Sequence, residues 1–494
     1  MVWTDLEFVE VDNSNTKAVK AGIGYTLGNI MVKGIAFITI PLYSALMSPE
    51  QYGIYNTFAA YVSMFAVIVS LGLPSSVRNA RFDFTEDEHR YHANSVTMIV
   101  VAAIVAFAIA AVFPEFLSNA LGMTYPFVIF VVIDGACMAL HSYCNNLLMI
   151  DFRSHLFLRL SFFYSVTSIL LSTLLILTFF CEKTALARAI GNTVPLAVIA
   201  VWTLWRIWRK HPPQITEKYS VYGLRFGIPL IPNDLSSLIL TQFDRIMILR
   251  TVGEAQAGIY SFSYNVAVIY QVIIGSLENA WTPWMFRMLH DDKRDVVEKK
   301  ISEYVVGITI FTGMFLLICP EFITLMSDRD YWDSRKVVVP IIFSMYFFAL
   351  ASIPIDIEFY HKKTMWISAC TFAAAIGNVI LNSVFLPKYG YTAAAYTTLV
   401  CYTLYAIIHI FAAGRLEDIR LLALKRVWKS VAAAAAAFLV SALALDHWRA
   451  RWGLAGMITV CLLTYGIVRR EKVISAVDLL RNSRGVQEDD FKEE

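Results

Sequence analysis

Two cations of this 494-residue chain sit where charge is expensive. Lys33 lies in GNIMVKGIAFITI and Arg245 in LILTQFDRIMIL, both far from the ends of long apolar runs. A cation in hydrocarbon costs about 3 kcal/mol or more unless it meets water, an anion or a partner. Each is therefore a candidate for binding an anion that passes through. On a helical wheel Thr26, Asn29, Lys33 and Ser44 share one face, and Asp234, Ser237, Thr241, Asp244 and Arg245 share another, so both faces are expected to be wet. For the neutral members, hydrogen bonding between packed helices is an equal reading, and Asp244 beside Arg245 also reads as an internal neutralisation.

Carboxylates within apolar sequence are the second group. Asp134, Glu278 and Asp244 read either as groups that take up a coupling ion or as members of structural ion pairs. Arg78 and Arg81 are three apart, hence on one helical face, in LGLPSSVRNAR. They would line an inner entrance or anchor the chain at the cytoplasmic boundary. Asp356 and Glu358, next to His361, Lys362 and Lys363, read as interfacial.

Covalent chemistry has no signature here. HExxH, P-loop and GxSxG patterns are absent, and the D-x-D of Asp328 and Asp330 falls in a predicted outer loop, where solvation explains it. The seven cysteines lie in or beside apolar runs without ligand spacing, which excludes a disulfide scaffold or a zinc site; no metal and no cofactor is expected. A net charge of +2, with no interleaved basic patch, excludes nucleic acid as a partner.

The elements that must carry these residues are membrane helices. The chain is 57% hydrophobic and 16% charged, against about 45–50% and 25% for soluble domains. Fourteen stretches approach the roughly 20 apolar residues that span a bilayer: 21–46, 52–74, 93–116, 122–147, 157–181, 185–206, 222–249, 255–283, 301–319, 336–358, 365–386, 390–413, 429–446 and 452–468. With the N-terminus inside, 30 of the 41 lysines and arginines fall in inner segments and nine in outer ones, Arg188 and Arg451 among the nine. Both termini are thus expected in the cytoplasm. Asp5, Glu7, Glu10 and Asp12 are the wrong charge for a secretory leader, so the first span is expected to remain. Pro229 and Pro232, in FGIPLIPND, predict a bend in the seventh span that faces protein or water rather than lipid.

The chain also reads as duplicated. QYGIY at 51–55 and QAGIY at 256–260 share Gln, Gly, Ile and Tyr at an offset of 205 residues, each between apolar runs. An even number of spans separates the copies, so the halves share one orientation and are expected to be related by a pseudo-two-fold axis along the membrane normal. The expected organisation is a cytoplasmic segment 1–20, an N-lobe of six spans at 21–206, a cytoplasmic linker 207–221, a C-lobe of six spans at 222–413, two further helices at 429–468 and a cytoplasmic tail 469–494. The fold class is an all-α polytopic membrane protein with about 14 transmembrane helices.

Several of these stretches carry a family resemblance. PLYSALMSPEQYGIYNTF with LGLPSSVRNAR in the first half, and FGIPLIPND, FDRIMILRTVGEAQAGIYSFSYNVAVI, ENAWTPWMF and GNVILNSVFLPKYGYTAAAYTTLVCY in the second, resemble the Wzx-type polysaccharide flippases of the multidrug/oligosaccharidyl-lipid/polysaccharide exporter superfamily. The resemblance implies two six-helix lobes opening alternately, with a polyprenyl-pyrophosphate-linked oligosaccharide as cargo, the lipid bilayer as medium and other polysaccharide assembly proteins as partners. It implies no enzyme. A cation-coupled multidrug exporter of the same superfamily and, further off, a membrane polysaccharide polymerase or ligase are the alternatives.

Overall fold

A computed structural model describes residues 34–35, 37–417 and 425–468, and among these the chain is helical with no strand. Among the described residues ten helical segments are long and apolar enough to cross a membrane. The first half contains α1 (Phe37–Leu46), α2 (Pro49–Val69), α3 (Leu73–Asp83), α4 (Glu88–Val112), α5 (Pro114–Leu121), α6 (Tyr125–Ile150), α7 (Ser154–Thr178) and α8 (Thr184–Trp208). The second contains α9 (Glu217–Gly227), α10 (Ile231–Thr251), α11 (Glu254–His290), α12 (Arg294–Met326), α13 (Arg335–Tyr360), α14 (Thr364–Tyr389) and α15 (Thr392–Ala413), followed by α16 (Lys425–Leu443) and α17 (Trp448–Val468).

Local sequence sets the breaks. Ser48 caps α2, its side chain accepting from the Gln51 amide at 3.4 Å, and Pro49 occupies the first turn, where its missing donor costs nothing. The α2 helix stops where Leu71 and Gly72 both take positive φ, 52° and 68°, so the expected span 52–74 ends earlier and continues as the separate α3. The bend expected from Pro229 and Pro232 is a 3-10 turn, Ile228–Leu230, which splits the expected span 222–249 into α9 and α10.

Packing follows the duplicated plan. α2 packs on α6 as α11 packs on α13; α4 on α6 as α12 on α13; α6 on α8 as α13 on α15; and α7 on α8 as α14 on α15. The turns agree as well. After α6, Phe152 has φ 53° and the amides of 151, 152 and 153 bond to the carbonyls of 147, 149 and 148; after α13, Lys362 has φ 59° and those of 361, 362 and 363 bond to 357, 359 and 358. The α13 segment is the innermost, with 78% of its apolar window buried. By contrast α4 and α7 bury only 22% and 17% of theirs and display large apolar side chains such as Ile104, Phe107 and Leu170, a surface suited to lipid rather than water.

Candidate functional site

The two halves meet along α2, α10 and α11, and their contacts fall at two ends. At the outer end, as the basic-residue distribution orients it, the glycines of the repeated motifs face each other. A Cβ on Gly53 would lie 2.7 Å from the Gly258 nitrogen and nearer still to the Glu254 carbonyl oxygen; one on Gly258 would lie 2.7 Å from the Pro49 carbonyl carbon. Small residues are what let helix backbones touch in a membrane. Around this crossing Asn265 donates to the Tyr52 hydroxyl at 2.8 Å and to Asn56 Oδ1 at 3.2 Å. Tyr331, in the 3-10 turn Arg329–Ser334, donates to the Met47 carbonyl at 2.8 Å, and Arg250 reaches the last carbonyls of α5, Asn119 at 2.9 Å and Ala120.

At the inner end α9 clasps the first half. Tyr222 donates to Asp83 Oδ2 at 2.5 Å, the Thr216 amide to Asn94 Oδ1 at 2.7 Å, and Lys218 lies 3.5 Å from Asp87. The Tyr219 and Tyr222 rings meet Phe84 edge-on, with centroids 5.2 and 4.8 Å away. Gly72 and Gly227 touch as the outer pair does: a Cβ on Gly72 would fall 2.5 Å from the Gly227 Cα. Between the ends, α2 covers only the first part of α11. Ser276, Ala280, Pro283 and Arg287, on the face that carries Gly258, are exposed.

The charged candidates separate into sealed and open. Asp244 is 2% exposed and accepts three bonds from three helices: Tyr260 at 2.6 Å, Asn382 at 2.7 Å and Thr398 at 2.9 Å. Asn378 and Thr397 join through Asn382, at 3.1 and 2.5 Å. The cluster thus gathers a carboxylate, amide oxygens and hydroxyls, a donor set able to hold a proton or a small hard cation. Arg245, 6% exposed, donates to Gln242, stands 4.8 Å from the Tyr264 ring centre, and leaves its Nε sealed without a hydrogen-bond partner. Asp234 and Ser237 are exposed, and Thr241 is half-buried and bonded back to the Ser237 carbonyl. The expected wet face of this helix therefore ends before Asp244, because α11, α14 and α15 close over its second half.

The remaining candidates lie apart. Asp134, 1% exposed, takes one bond from Asn192 at 3.1 Å, and its Oδ1 has none. Glu278 is half-buried on α11, one turn from Thr282, which donates to Asp356 at 2.9 Å. Arg81 bridges Glu88 and Asp151 at 2.7 and 2.9 Å, a fixed inner anchor, whereas Arg78 is exposed beside the Met149 sulfur. Lys33, Asn29 and Thr26 lie outside the described residues.

The surroundings of three residues were missed from sequence. Glu358 is not interfacial: it is fully buried against His409 Nδ1 at 2.9 Å, a partner 51 positions away. Arg451, assigned to an outer segment, is 1% exposed and paired with Glu321. Arg188, assigned likewise, is half-buried inside α8 over the rings of Tyr43 and Tyr55. The available signal was the tyrosine spacing at 43, 52 and 55, an aromatic patch flanking the α1–α2 turn.

Known proteins align with this architecture. A family model described as polysaccharide biosynthesis protein matches residues 18–289. The Lsg locus putative protein 1 of Haemophilus influenzae is 22% identical over 389 residues, 73% of this chain and 89% of its own length. The succinoglycan biosynthesis transport protein ExoT of Rhizobium meliloti is 23% identical over 328 residues, 64% of each chain. Among solved structures, an inward-facing multidrug resistance MATE family transporter of the MOP superfamily superposes with TM-score 0.65 at 11% identity, covering 79% of this chain and 96% of its own. The lipid II flippase MurJ in an inward closed conformation gives 0.63 at 13%, covering 90% and 100%. These likenesses establish the fold.

Proposed function

The chain belongs to the polysaccharide biosynthesis protein family, and from that premise we propose that it is a flippase for polyprenyl-pyrophosphate-linked oligosaccharide. It carries the repeat unit from the cytoplasmic to the outer leaflet of the bacterial cytoplasmic membrane, with both termini in the cytoplasm. The observation that carries this reading is the pair of separate junctions between the halves, one at each end, joined by different residues. Opening one while the other stays shut is alternating access, and it needs no covalent chemistry. The N-lobe at 21–206 and the C-lobe at 222–413 are the moving bodies, and 207–221 is the linker.

Lys33 supplies positive charge along the route, joined by Arg245 once the packing that seals it opens, with Asn29, Thr26, Thr241 and Asp234 as its neutral and acidic lining and Arg78, beside the anchored Arg81, at its inner mouth. Asp244 is the site for a coupling ion, since its oxygen cluster is complete within the C-lobe; Asp134 and Glu278 are secondary candidates. The deciding experiment is lipid analysis of a strain lacking the protein. A single polyprenyl-linked repeat unit accumulating on the inner leaflet is expected; an unchanged lipid pool would overturn the proposal. The likeness to a multidrug transporter favours a second reading, drug export, under which the same strain would gain drug sensitivity and keep its lipid pool unchanged.

A further inference from the structure

Arg188 lies one turn into α8, at the outer end of the first half. Its guanidinium carbon stands 3.7 Å from the ring centre of Tyr43 on α1, 3.9 Å from that of Tyr55 on α2 and 5.4 Å from that of Tyr52. Contact with aromatic rings holds a guanidinium through its delocalised charge. It leaves the five N–H groups on the rim to find acceptors. Among the described residues they find one, the Met47 sulfur, 3.8 Å from Nη1 and a weak acceptor.

Among the described residues no carboxylate pairs with this charge. Asp134, the buried carboxylate of the same lobe, bonds to Asn192 instead. Nor are the spare donors sealed off. Arg245 has a fully buried nitrogen without a partner, whereas no nitrogen of Arg188 is in that state, so Nε and Nη2, which make no hydrogen bond among the described residues, are not fully buried. The amino end of α8 adds its own partial positive charge one turn away. On the other side the second half caps the cage, Tyr331 and Phe262 packing edge-on against Tyr52 with centroids 5.7 and 6.0 Å apart. Parting the outer junction would remove that cap.

We propose that Arg188 is the binding residue for a phosphoryl anion at the outer end, engaged once the outer junction opens. A planar fork of donors fixed by aromatic rings suits the paired oxygens of a phosphate or pyrophosphate. The assignment to the headgroup of a carrier lipid rests on the flippase reading; the anion chemistry does not.

The test uses the full chain in nanodiscs and two probes, undecaprenyl pyrophosphate in the disc and inorganic pyrophosphate in the buffer. Arg188→Gln is expected to weaken binding about tenfold, the loss of one charge-assisted hydrogen-bond pair. If Arg188→Gln fails to accumulate in membranes, Arg188→Lys carries the test. A point charge replacing the fork lowers affinity about threefold under the proposal and leaves it unchanged if the arginine only packs. Arg188-dependent binding of both probes, or of the lipid alone, supports the site, the second outcome adding that the group is read on its lipid. Binding of either probe that is indifferent to Arg188→Gln, or no binding by the wild type, overturns it. Lipid movement in proteoliposomes separates this from the wider reading. A wild type that binds through Arg188 but moves no lipid refutes the flippase and leaves the anion site; one that moves lipid while Arg188→Gln binds normally refutes the site and leaves the flippase.

Discussion

The outer and inner junctions close the same interface with different balances of backbone contact and side-chain bonding. Outside, two helix backbones touch through Gly53 and Gly258, and the nearest atoms to any added side chain are main-chain atoms of Pro49 and Glu254. Inside, closure runs largely through the side chains of the short α9, which the 3-10 turn Ile228–Leu230 separates from α10. A backbone contact has no give, because helix axes must move before a methyl group fits. A clasp of hydrogen bonds, rings and one ion pair can lose a member and still hold. The difference teaches that the outer junction rests chiefly on the absence of side chains, whereas the inner one adds to its own glycine contact, Gly72 on Gly227, a redundant set of side chains.

The largest effect is therefore expected at the outer glycines. Gly258→Leu, and to a lesser degree Gly258→Ala, forces α2 and α11 apart. Overpacking a close contact costs about 1–3 kcal/mol even where side chains can adjust, and here the obstructing atoms are backbone. Surface polysaccharide in a complemented deletion strain should be lost with Gly258→Leu at normal membrane abundance. A disulfide between Asn56→Cys and Asn265→Cys, residues bonded at 3.2 Å in the closed junction, should form in the parent and fail in the glycine variant. Full complementation by Gly258→Leu would break the comparison at its stronger side.

Asp244 comes next. Asp244→Ala strands Tyr260, Asn382 and Thr398, each a buried donor worth about 1–3 kcal/mol when left unpaired, so the protein should accumulate poorly. Asp244→Asn keeps the shape and removes the charge. It is expected to accumulate and to lose the dependence of lipid movement on an imposed proton or sodium gradient. If wild type and Asp244→Asn respond alike to both gradients, the coupling role fails and the cluster is structural.

Much of this architecture was legible because the bilayer leaves few alternatives. Long apolar runs must be helices when nothing else satisfies a buried backbone, and ten of the fourteen expected segments coincide with described helices long and apolar enough to span; the first is described only in part, the seventh is split, and the last two fall on α16 and α17, which are not among the ten. The repeated Gly-Ile-Tyr was read as a mark of duplication; that its glycines also form the crossing of α2 and α11 emerged only from the structure. What sequence could not supply was which neighbours cover a polar face. A helical wheel gives the angle of Asp244 and Arg245 but not the arrival of Tyr260, Asn382 and Thr398 from three other helices. The same gap hid His409 from Glu358 and the tyrosine rings from Arg188, which counted only as a cation on the outer side. Charge near a span end reads as an anchor until the rings beside it are placed.

The smallest expected effects belong to the inner clasp, and they sharpen the comparison most. Tyr222→Phe removes the 2.5 Å bond to Asp83 but keeps the ring against Phe84. One solvent-accessible hydrogen bond is worth about 0.5–1 kcal/mol, enough to shift a two-state opening by about two- to fivefold. Lys218→Ala removes an ion pair 3.5 Å long at an exposed site, where pairs often contribute nothing measurable. Labelling of a cysteine placed at exposed Ser276 by a membrane-impermeant thiol reagent, in inverted vesicles of a variant whose native cysteines are replaced, reads how often the inner end is open. Tyr222→Phe should raise the rate within that range, and Lys218→Ala should leave it unchanged. Only their combination with Asn94→Ala, which also releases the Thr216 amide, should open the inner end fully. If Tyr222→Phe alone did so, α9 would depend on a single bond, and the inner junction would be as intolerant of change as the outer glycine pair.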